Sequence, residues 1–571
     1  MTDFPRPSQA RITSDINIMY DPYGFDDDDT TGSTVSSVAY TQSTRNHELK
    51  RTLKARHLAM ISLGGVIGQG LFLGSGANLN LGGPLGALLA YAIVGFIVFW
   101  VAWSLGEMAA YLPISGSFTI FCQRFVDHSF GAAIGYNYWV SFVCLFACWS
   151  IVVASELTAL PIIMRFWVDD IPDYAWSAIW LVVLVLINTL GTRVYGETEY
   201  WFSLAILTIL IFIIVGCFIS GGLIGGKTFG FEYWNNPGAL PYGAKGVIDC
   251  LILSVFSMQG TEIVGITAGE TGNPRKHVPR AIKNVFWRIL VFYILAIFVM
   301  GMVIPYDDPQ IFSTKEPIEL EGSTEKPVSP FTMVFEKGGL QGVEHIMNAI
   351  ILITILSCAN SAFYVSSRTM LALSQEGLAW HKLSYISKHG VPIYALACTV
   401  LVSLVAFATF FIPGQQLYVI LTKLVGIAGL TTWFGISLAH YRFRQAFIAQ
   451  GRTMESLPMQ APLHPFGDIA GMIGCAVITF AAGYSYFVPA DAVGLIGNYG
   501  GTILFILGFG ITKIVTKSKM VPLKEIDLDT GRIDTMMFAG DDEDEKNIGK
   551  VEQDCETWYQ RAWKKVVIAI T

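Results

Sequence analysis

The chain has 571 residues and a net charge of −7, and 53% of its residues are hydrophobic whereas only 14% are charged. Soluble domains carry about 25% charged residues, so this composition excludes an ordinary soluble protein and indicates a membrane protein. The acidic excess lies in the tails and in one loop, and it predicts no nucleic-acid partner.

The first 57 residues are polar, include an acidic run at 26–29, and contain no cleavable signal peptide. We expect them to form a disordered cytosolic tail, 1–57. A twelve-span core at 58–515 and a second cytosolic tail at 516–571 complete the predicted organisation. Trafficking or ubiquitination machinery would bind at these tails.

Twelve apolar runs follow the first tail, and each is about long enough to cross a lipid bilayer as a helix. They lie near 58–78, 86–112, 134–164, 175–191, 201–220, 247–269, 286–305, 344–374, 393–412, 418–440, 469–488 and 497–515. Lys and Arg cluster before the first run, after the sixth and after the twelfth, whereas the loop after the seventh is acidic. By the positive-inside rule, both termini lie in the cytosol. The runs therefore predict an all-α membrane protein with twelve transmembrane helices.

The first run contains GGVIGQGLFLGSG at 64–76, in which six of thirteen residues are glycine. Each glycine costs a helix roughly 1 kcal/mol relative to alanine. Such small residues either let neighbouring helices approach closely or mark a discontinuous helix whose free backbone N–H groups suit a carboxylate. Gly260 is a candidate for a second interruption, in the sixth run. An offset of five runs is the one expected for a five-plus-five inverted repeat.

The stretch FSMQGTEIVGITAGETGNPRKHVPRAIK at 256–283 resembles the signature of the amino acid–polyamine–organocation superfamily and, in detail, of the fungal amino acid permeases. GEMAAYLPISGSF at 106–118, ANSAFYVSSR at 359–368 and AHYRFRQA at 439–446 strengthen this resemblance. It implies a LeuT-like transporter core in which the first and sixth helices are broken. The family moves amino acids across the fungal plasma membrane, usually with protons.

The resemblance also implies where a substrate binds. Amides around the first break would bind its carboxylate, carbonyls around the second would bind its ammonium group, and Phe256 would close over it as an aromatic gate. The dipole of a half-helix agrees with both assignments, since it favours an anion at the N-terminus and a cation at the C-terminus. The predicted substrate-binding residues are Gly68, Gln69, Gly70, Phe256, Ser257, Gln259 and Gly260.

Ionisable residues inside apolar runs are costly, and each is a functional hypothesis by default. Glu156 in the third run and Glu262 after the second break are candidates for proton coupling, because burial favours an uncharged carboxyl group. A structural ion pair or hydrogen-bonded acid is the alternative for both. Glu107, near the cytosolic end of the second run, would either latch an inward gate through an ion pair with an inner-loop cation or simply pack.

Two polar positions of the eighth run are further candidates. Asn360 and Ser361 would either coordinate polar groups near the first break or bond a neighbouring carbonyl. Arg368, closer to the cytosol, would pair or snorkel.

Three positions depart from the family's pattern. Gln69 stands where relatives usually have threonine, and its longer side chain could intrude on the carboxylate site. Ile206 replaces a lysine of the fifth span to which coupling is attributed in relatives. Lys423 lies inside the tenth run, where we expect a carboxylate partner; it could also titrate as an amine or bind an acidic substrate group.

The sequence thus predicts a plasma-membrane importer of amino acids that works by alternating access and is driven by protons. Two alternatives stay open: a non-transporting sensor of the same fold, favoured by Gln69 and Ile206, and a carnitine or polyamine permease. The segments QGT and AGE favour cationic substrates, whereas Lys423 disfavours them. The sequence shows no P-loop, metal-ligand cluster or nucleophile–base pair outside the membrane, so we expect no enzyme activity, cofactor or metal.

Overall fold

The structure is a computed structural model, and it describes residues 67–114, 116–139, 148–168, 170–271, 273–311, 329–340, 342–387, 390–412, 414–484, 487 and 492–532. All of these residues belong to one compact unit, Leu49–Thr571. The predicted tail 1–57, the glycines at 64 and 65 and the end of the chain after 532 lie outside the described residues.

The described chain is helical, as the apolar runs predict. Its α-helices are α1 Gln69–Phe72, α2 Gly74–Tyr111, α3 Phe118–Phe125, α4 His128–Trp139, α5 Cys148–Met164, α6 Asp173–Thr189, α7 Thr192–Ser203, α8 Leu207–Ser220, α9 Gly243–Met258, α10 Ile263–Ala268, α11 Pro274–Trp287, α12 Ala296–Val303, α13 Pro330–Lys337, α14 Val343–Gln375, α15 Ile393–Ser403, α16 Gly414–Ala449, α17 Phe466–Ala481 and α18 Ala492–Thr516. Short 3₁₀ or π segments join or extend several of them, at Leu204–Ile206, Trp234–Gly238, Arg288–Leu295, His381–Ser384, Leu404–Phe410 and Met454–Ser456.

Eight helices among the described residues are long and apolar enough to cross a membrane, and three shorter apolar helices accompany them. The first of the eight, Gln69–Tyr111, covers parts of two predicted runs. These runs are separated at Gly83, whose φ of 70° and ψ of 178° are not helical, and at Pro84, which follows it. The molecule is therefore a helical membrane protein, and the total of twelve spans stays a prediction.

Backbone geometry explains why the turn at Gly83 requires glycine. Its φ is positive, a region that residues with a Cβ rarely adopt. A Cβ atom at this position would also lie 2.7 Å from the carbonyl oxygen of Ala239. The break between the first two apolar runs therefore requires glycine at this position.

The glycine-rich stretch of the first run begins a helix rather than continuing one. Gly68 is extended, with φ −125° and ψ −150°, and α1 starts at the next residue. The short α1 then leads through Leu73 into α2. The residues just before Ile67 lie outside the described chain, so the structure describes this helix only from its first turn onward.

The sixth run is interrupted where Gly260 predicts it. Helix α9 ends at Met258, Gln259 is extended with ψ 150°, and α10 begins only at Ile263. Gly260 has a φ of 100°, so the interruption depends on the absence of a side chain. The helices on either side form one candidate span, Gly243–Ala268. It is the most enclosed of the eight, since 83% of its 18-residue apolar stretch is buried.

Polar contacts fix α9 against α2. Asn78 Nδ2 donates a hydrogen bond to Ser254 Oγ over 3.2 Å, and Cys250 Sγ lies 3.2 Å from the carbonyl oxygen of Asn78. The hydroxyl groups of Tyr91 and Ser257 are 2.9 Å apart. Because α1 precedes α2 directly, this packing brings the start of α1 to the interruption after α9.

Residues 517–532, which we call the C-terminal segment, pack onto one end of the helices. Ile526 and Leu528 are 3% and 1% exposed. Gln450 Nε2 donates to the carbonyl oxygen of Ile526 over 2.7 Å, and Arg124 Nη1 donates to that of Thr530 over 2.8 Å. The predicted tail 516–571 thus begins with a stretch that is folded against the core.

Candidate functional site

The first turn of α1 meets the last turn of α9 at Gly70 and Ser257. Ser257 Oγ donates a hydrogen bond to the carbonyl oxygen of Gly70 over 2.6 Å. A Cβ atom at Gly70 would lie 2.7 Å from Ser257 Cα and 3.0 Å from Phe256 Cδ1. Gly70 is therefore needed for the close approach of the two backbones.

A small cavity lies between the interrupted helices. Its lining consists of both breaks together with one side of α5 and α14, and the residues are Gly68, Gly70, Val152, Glu156, Phe256, Ser257, Gln259 and Cys358. The volume open to the centre of a water-sized sphere is about 10 Å³, and one water molecule needs roughly 10–15 Å³ on this measure. A free amino acid therefore fits only if a lining side chain such as Phe256 moves.

Glu156 is the one carboxylate that lines this cavity. Its side chain is 1% exposed. It accepts hydrogen bonds from the backbone N–H of Gln69 and from Cys358, both of them uncharged groups. The amide that the sequence assigned to the substrate's carboxylate is therefore bound to the protein's own carboxylate.

The side chain of Gln69 points elsewhere. Its Nε2 donates to Ser155 Oγ over 2.7 Å, and Gln69 is not among the residues that line the cavity. The sequence suggested that this longer side chain could intrude on the carboxylate site; in the structure it is directed into the contact with α5 instead. The backbone of Gln69, and not its side chain, faces Glu156.

The carbonyl groups that end α9 already have donors. The hydroxyl of Tyr293 donates to the carbonyl oxygen of Ser257 over 2.7 Å, and the N–H of Gln259 donates to that of Phe256 over 3.2 Å. Each carbonyl oxygen has two lone pairs and can accept a second bond. The predicted ammonium site is thus compatible with this geometry, and it stays a prediction.

Glu262 stabilises the second interruption from a different side. Its Oε2 accepts a hydrogen bond from the N–H of Gly260 over 3.1 Å and from Trp433 Nε1 over 3.2 Å. Arg288, fully buried at the start of the π segment, donates to Thr261 Oγ1 and interacts electrostatically with Glu262. Glu262 does not line the cavity, so the two proton-coupling candidates have separate surroundings.

Glu107 lies in a buried cluster of charged residues at the end of α2. Arg444 contacts both of its oxygens, at 2.5 Å and 2.7 Å, and the backbone N–H of Ala461 donates to it over 2.5 Å. His440 Nε2 is 3.3 Å from Glu107, and its Nδ1 is 2.7 Å from Asp468. The cation that pairs with Glu107 thus comes from the AHYRFRQA stretch of α16.

Asn360 and Ser361 belong to a second polar cluster. Asn360 Nδ2 donates to Glu199 over 2.9 Å, and its Oδ1 accepts from Asn188 over 2.9 Å. Ser361 Oγ lies 3.1 Å from the hydroxyl of Tyr195. The hydrogen bonds described for these two side chains therefore lead toward α6 and α7, and not toward the first break.

Sequence reasoning missed Glu199 and Glu270. Glu199 lies just before the predicted edge of the fifth run at 201, yet it is fully buried. Glu270 is 1% exposed and binds Arg368, with Nε 3.1 Å from its carboxylate, so Arg368 pairs rather than snorkels. A signal was present for Glu199, since the apolar run follows it within two residues.

The two remaining departures from the family's pattern lie on different elements. Ile206 is 2% exposed, in the 3₁₀ segment between α7 and α8, where it packs as an apolar core residue. Lys423 is half-buried on α16. Its expected carboxylate partner and its role stay predictions.

Comparison with known proteins gives the family. The Amino acid permease family model matches residues 57–525. The lysine-specific permease LysP of Lactococcus lactis is 40% identical over 495 residues, which cover 85% of this chain and 94% of the relative. The histidine permease HisP of the same species is 38% identical over 485 residues, covering 84% and 98%. The lysine-specific permease of Saccharomyces cerevisiae is 37% identical over 512 residues, covering 88% and 81%.

The match extends over nearly all of the described residues and includes both interrupted helices. It also agrees with a helical membrane protein in which the start of α1 and the end of α9 line a cavity. The chain therefore belongs to the amino acid permease family and is, like the fungal permeases of the amino acid–polyamine–organocation superfamily, an importer of amino acids.

Proposed function

We propose that this permease uses alternating access of a twelve-span, LeuT-like core to import amino acids together with protons. The extended backbone at Gly68 and the interruption after Met258 support this proposal, because they lie five apolar runs apart and α1 contacts α9 there. Unwound backbone inside a membrane is tolerated where it lines a cavity, and substrate sites of this class are built from it.

The observation that carries the mechanism is the hydrogen bond between Glu156 and the backbone of Gln69. A substrate carboxylate needs the same amide at the N-terminus of α1. Two carboxylates cannot share it at low cost, because like charges repel strongly in a buried site. Protonation of Glu156 removes the competing charge, so proton binding and substrate binding favour each other.

Relatives named for lysine and histidine suggest basic amino acids as substrates. The carbonyl groups that end α9 are consistent with a cationic ligand, because each can accept a second hydrogen bond. Carnitine fits less well, because quaternary ammonium groups are usually bound by several aromatic rings, whereas Phe256 is the single aromatic residue of the described lining. A polyamine has no carboxylate for the amide of Gln69.

We place the permease in the plasma membrane with both termini in the cytosol. The basic residues beside the first, sixth and twelfth runs support this orientation by the positive-inside rule. The tails would then be available to trafficking or ubiquitination machinery. With Gln69 directed toward Ser155, one of the two features that favoured a sensor is accounted for by packing.

Uptake into proteoliposomes tests the proposal. Labelled lysine, histidine, neutral amino acids, carnitine and spermidine are offered with and without an inward proton gradient, and we expect gradient-driven accumulation of lysine. Glu156→Gln should lose the gradient response and keep lysine counterflow, because glutamine is neutral at every pH. Glu344→Gln, at the start of α14 and far along that helix from the cavity, is the control. Absence of uptake for all compounds would favour the sensor.

A further inference from the structure

A continuous row of polar side chains runs along α14. Each member has another member three or four residues away, so the side chains form neighbouring strips along the helix. They are Ser357, Cys358, Asn360, Ser361, Tyr364 and Arg368. All are less than 9% exposed, although α14 is one of the apolar candidate spans. Such a row in a membrane helix requires a reason beyond packing.

Glu199 lies at the middle of this row. Ser357 Oγ donates to one carboxylate oxygen, Asn360 Nδ2 donates to the other over 2.9 Å, and Ser361 also bonds it. All three donors are neutral. Asn188 holds the amide of Asn360 in place, with a hydrogen bond of 2.9 Å to its Oδ1.

Two other buried carboxylates differ from Glu199 in one respect. Glu270 binds the guanidinium group of Arg368, and Glu107 binds that of Arg444. Among the described residues, the contacts of Glu199 include no cation. A buried carboxylate without a cation is costly when ionised and inexpensive when protonated. Hydroxyl groups can donate to the ionised form and accept from the protonated one, so this cluster suits both.

The row connects Glu199 with the substrate cavity. Cys358 lines that cavity, bonds Glu156, and interacts electrostatically with both carboxylates. Cys358 is thus the residue of α14 that interacts with both Glu156 and Glu199.

In the opposite direction the row leads to the end of α14. Ser361 contacts Tyr195, whose ring stacks on that of Tyr364 with centroids 4.0 Å apart. The guanidinium group of Arg368 lies 4.0 Å from the centre of the Tyr364 ring and binds Glu270. The titratable or charged groups that face Glu199 are therefore Tyr195 on its own helix, Cys358 on α14 and, further along, Arg368 with Glu270.

We propose that Glu199 binds and releases a proton in each transport cycle, as a second site behind Glu156. Loading converts the carboxylate into a carboxylic acid, which can donate to a hydroxyl oxygen of the cluster; unloading returns the proton to water. This inference rests on the proposed proton-coupled function. It supplies a titrating group where Ile206 has replaced the lysine expected in the fifth span.

The test is Glu199→Gln, measured in two ways in the same proteoliposomes. Lysine counterflow without a gradient should be retained. With a gradient of one pH unit, one coupled proton supports about a tenfold accumulation, and we expect the variant to lose this factor. Glu199→Asp should restore part of it. Glu344→Gln, a matched substitution at the start of α14, should behave as wild type.

A second measurement does not depend on transport. Infrared difference spectra between high and low pH should show the carbonyl band of a carboxylic acid, and Glu199→Gln should lack part of it even if the variant transports poorly. Unchanged gradient-driven accumulation in Glu199→Gln, or an unchanged band, would overturn the inference. Failure of wild-type counterflow for every amino acid would instead contradict the proposed function.

Discussion

Two of the buried carboxylates that the structure describes have partners of different kinds. At the end of α2, Glu107 contacts Arg444 and His440. Beside the cavity, Glu156 accepts hydrogen bonds from uncharged groups. Both carboxylates are no more than 1% exposed, so burial alone does not distinguish them.

The difference indicates which carboxylate is suited to change its charge. A carboxylate that is paired with arginine gains from remaining ionised, because protonation would leave a buried cation alone. A carboxylate with neutral partners has no such constraint. We therefore assign a structural role to the charged cluster and a titrating role to the groups beside the cavity, and variants of both regions test that division.

Gly70→Val should have the largest effect. A Cβ atom there would already lie 2.7 Å from Ser257 Cα, and overpacking of this kind typically costs about 1–3 kcal/mol. We expect uptake to fall to background while the protein still reaches the membrane. Gly510→Val is the control, since a Cβ atom at Gly510 meets nothing within 4 Å. Normal uptake by Gly70→Val would remove the contact between the two breaks from the mechanism.

Arg444→Gln should lower the thermal stability of the protein more than it lowers the coupling of uptake to the proton gradient. It leaves Glu107 buried beside glutamine, and breaking a buried pair from one side costs about 3–5 kcal/mol. Thermal unfolding in detergent measures the effect, and the double variant Glu107→Gln/Arg444→Gln should recover part of it. Glu156→Gln should melt close to wild type. A single Arg444→Gln variant as stable as wild type would contradict the structural role.

Ser257→Ala, a substitution in the lining of the cavity, should have an intermediate effect on uptake. The substitution removes the hydrogen bonds to Gly70 and Tyr91 but keeps the backbone packing. Loss of a buried partner costs about 1–3 kcal/mol, and we expect a weaker apparent affinity in uptake. Ser75→Ala removes a buried hydroxyl for which no hydrogen bond is described, and serves as the control. Equal effects of both variants would show that the link between the breaks is unimportant.

Asp529→Asn should have the smallest effect. Hydrogen bonds from Arg452, of 2.8 Å and 2.6 Å, lower the pKa of Asp529. The pair therefore stabilises the folded C-terminal segment above the unfolded pKa of about 3.9 and loses this contribution as the pH falls through the lower, folded value. Exposed pairs contribute about 0.2–1 kcal/mol.

Hydrogen exchange of residues 521–532 at neutral pH is the measurement for Asp529→Asn. Exchange should be slightly faster than in wild type, and the difference should vanish in acid. Glu525→Gln, an exposed change in the same segment, should leave exchange unaltered. A difference that persists in acid would show that the ion pair is not its cause.

The sequence was most informative where a local pattern determines the backbone. The interruption at Gly260 was predictable because a glycine between polar residues in an apolar run indicates a broken membrane helix. The non-helical turn at Gly83 was not predicted, because Gly83 and Pro84 lie in the short interval between two apolar runs and gave no further signal. The need for glycine there also depends on contact with Ala239 in a distant part of the chain.

Side-chain direction and pairing were less accessible. Gln69 points away from the cavity because its side chain donates to Ser155 on another helix. The pattern of apolar residues along the sequence does not predict such a contact. Glu199 lies ahead of an apolar run and looked like a boundary residue; packing of α7 against α14 buries it. For Glu107 the sequence predicted an ion pair with a cation of the inner loops but did not identify Arg444, since the two residues are 337 positions apart.

The folded C-terminal segment has a mechanical consequence. It touches the ends of α2, α3 and α16 at once, through Tyr111, Arg124 and Arg452. Any rearrangement that spreads these three ends must first break those bonds or carry the segment along. A truncation ending before residue 520 would thus alter the speed of the cycle from a distance, without touching a single atom of the ligand.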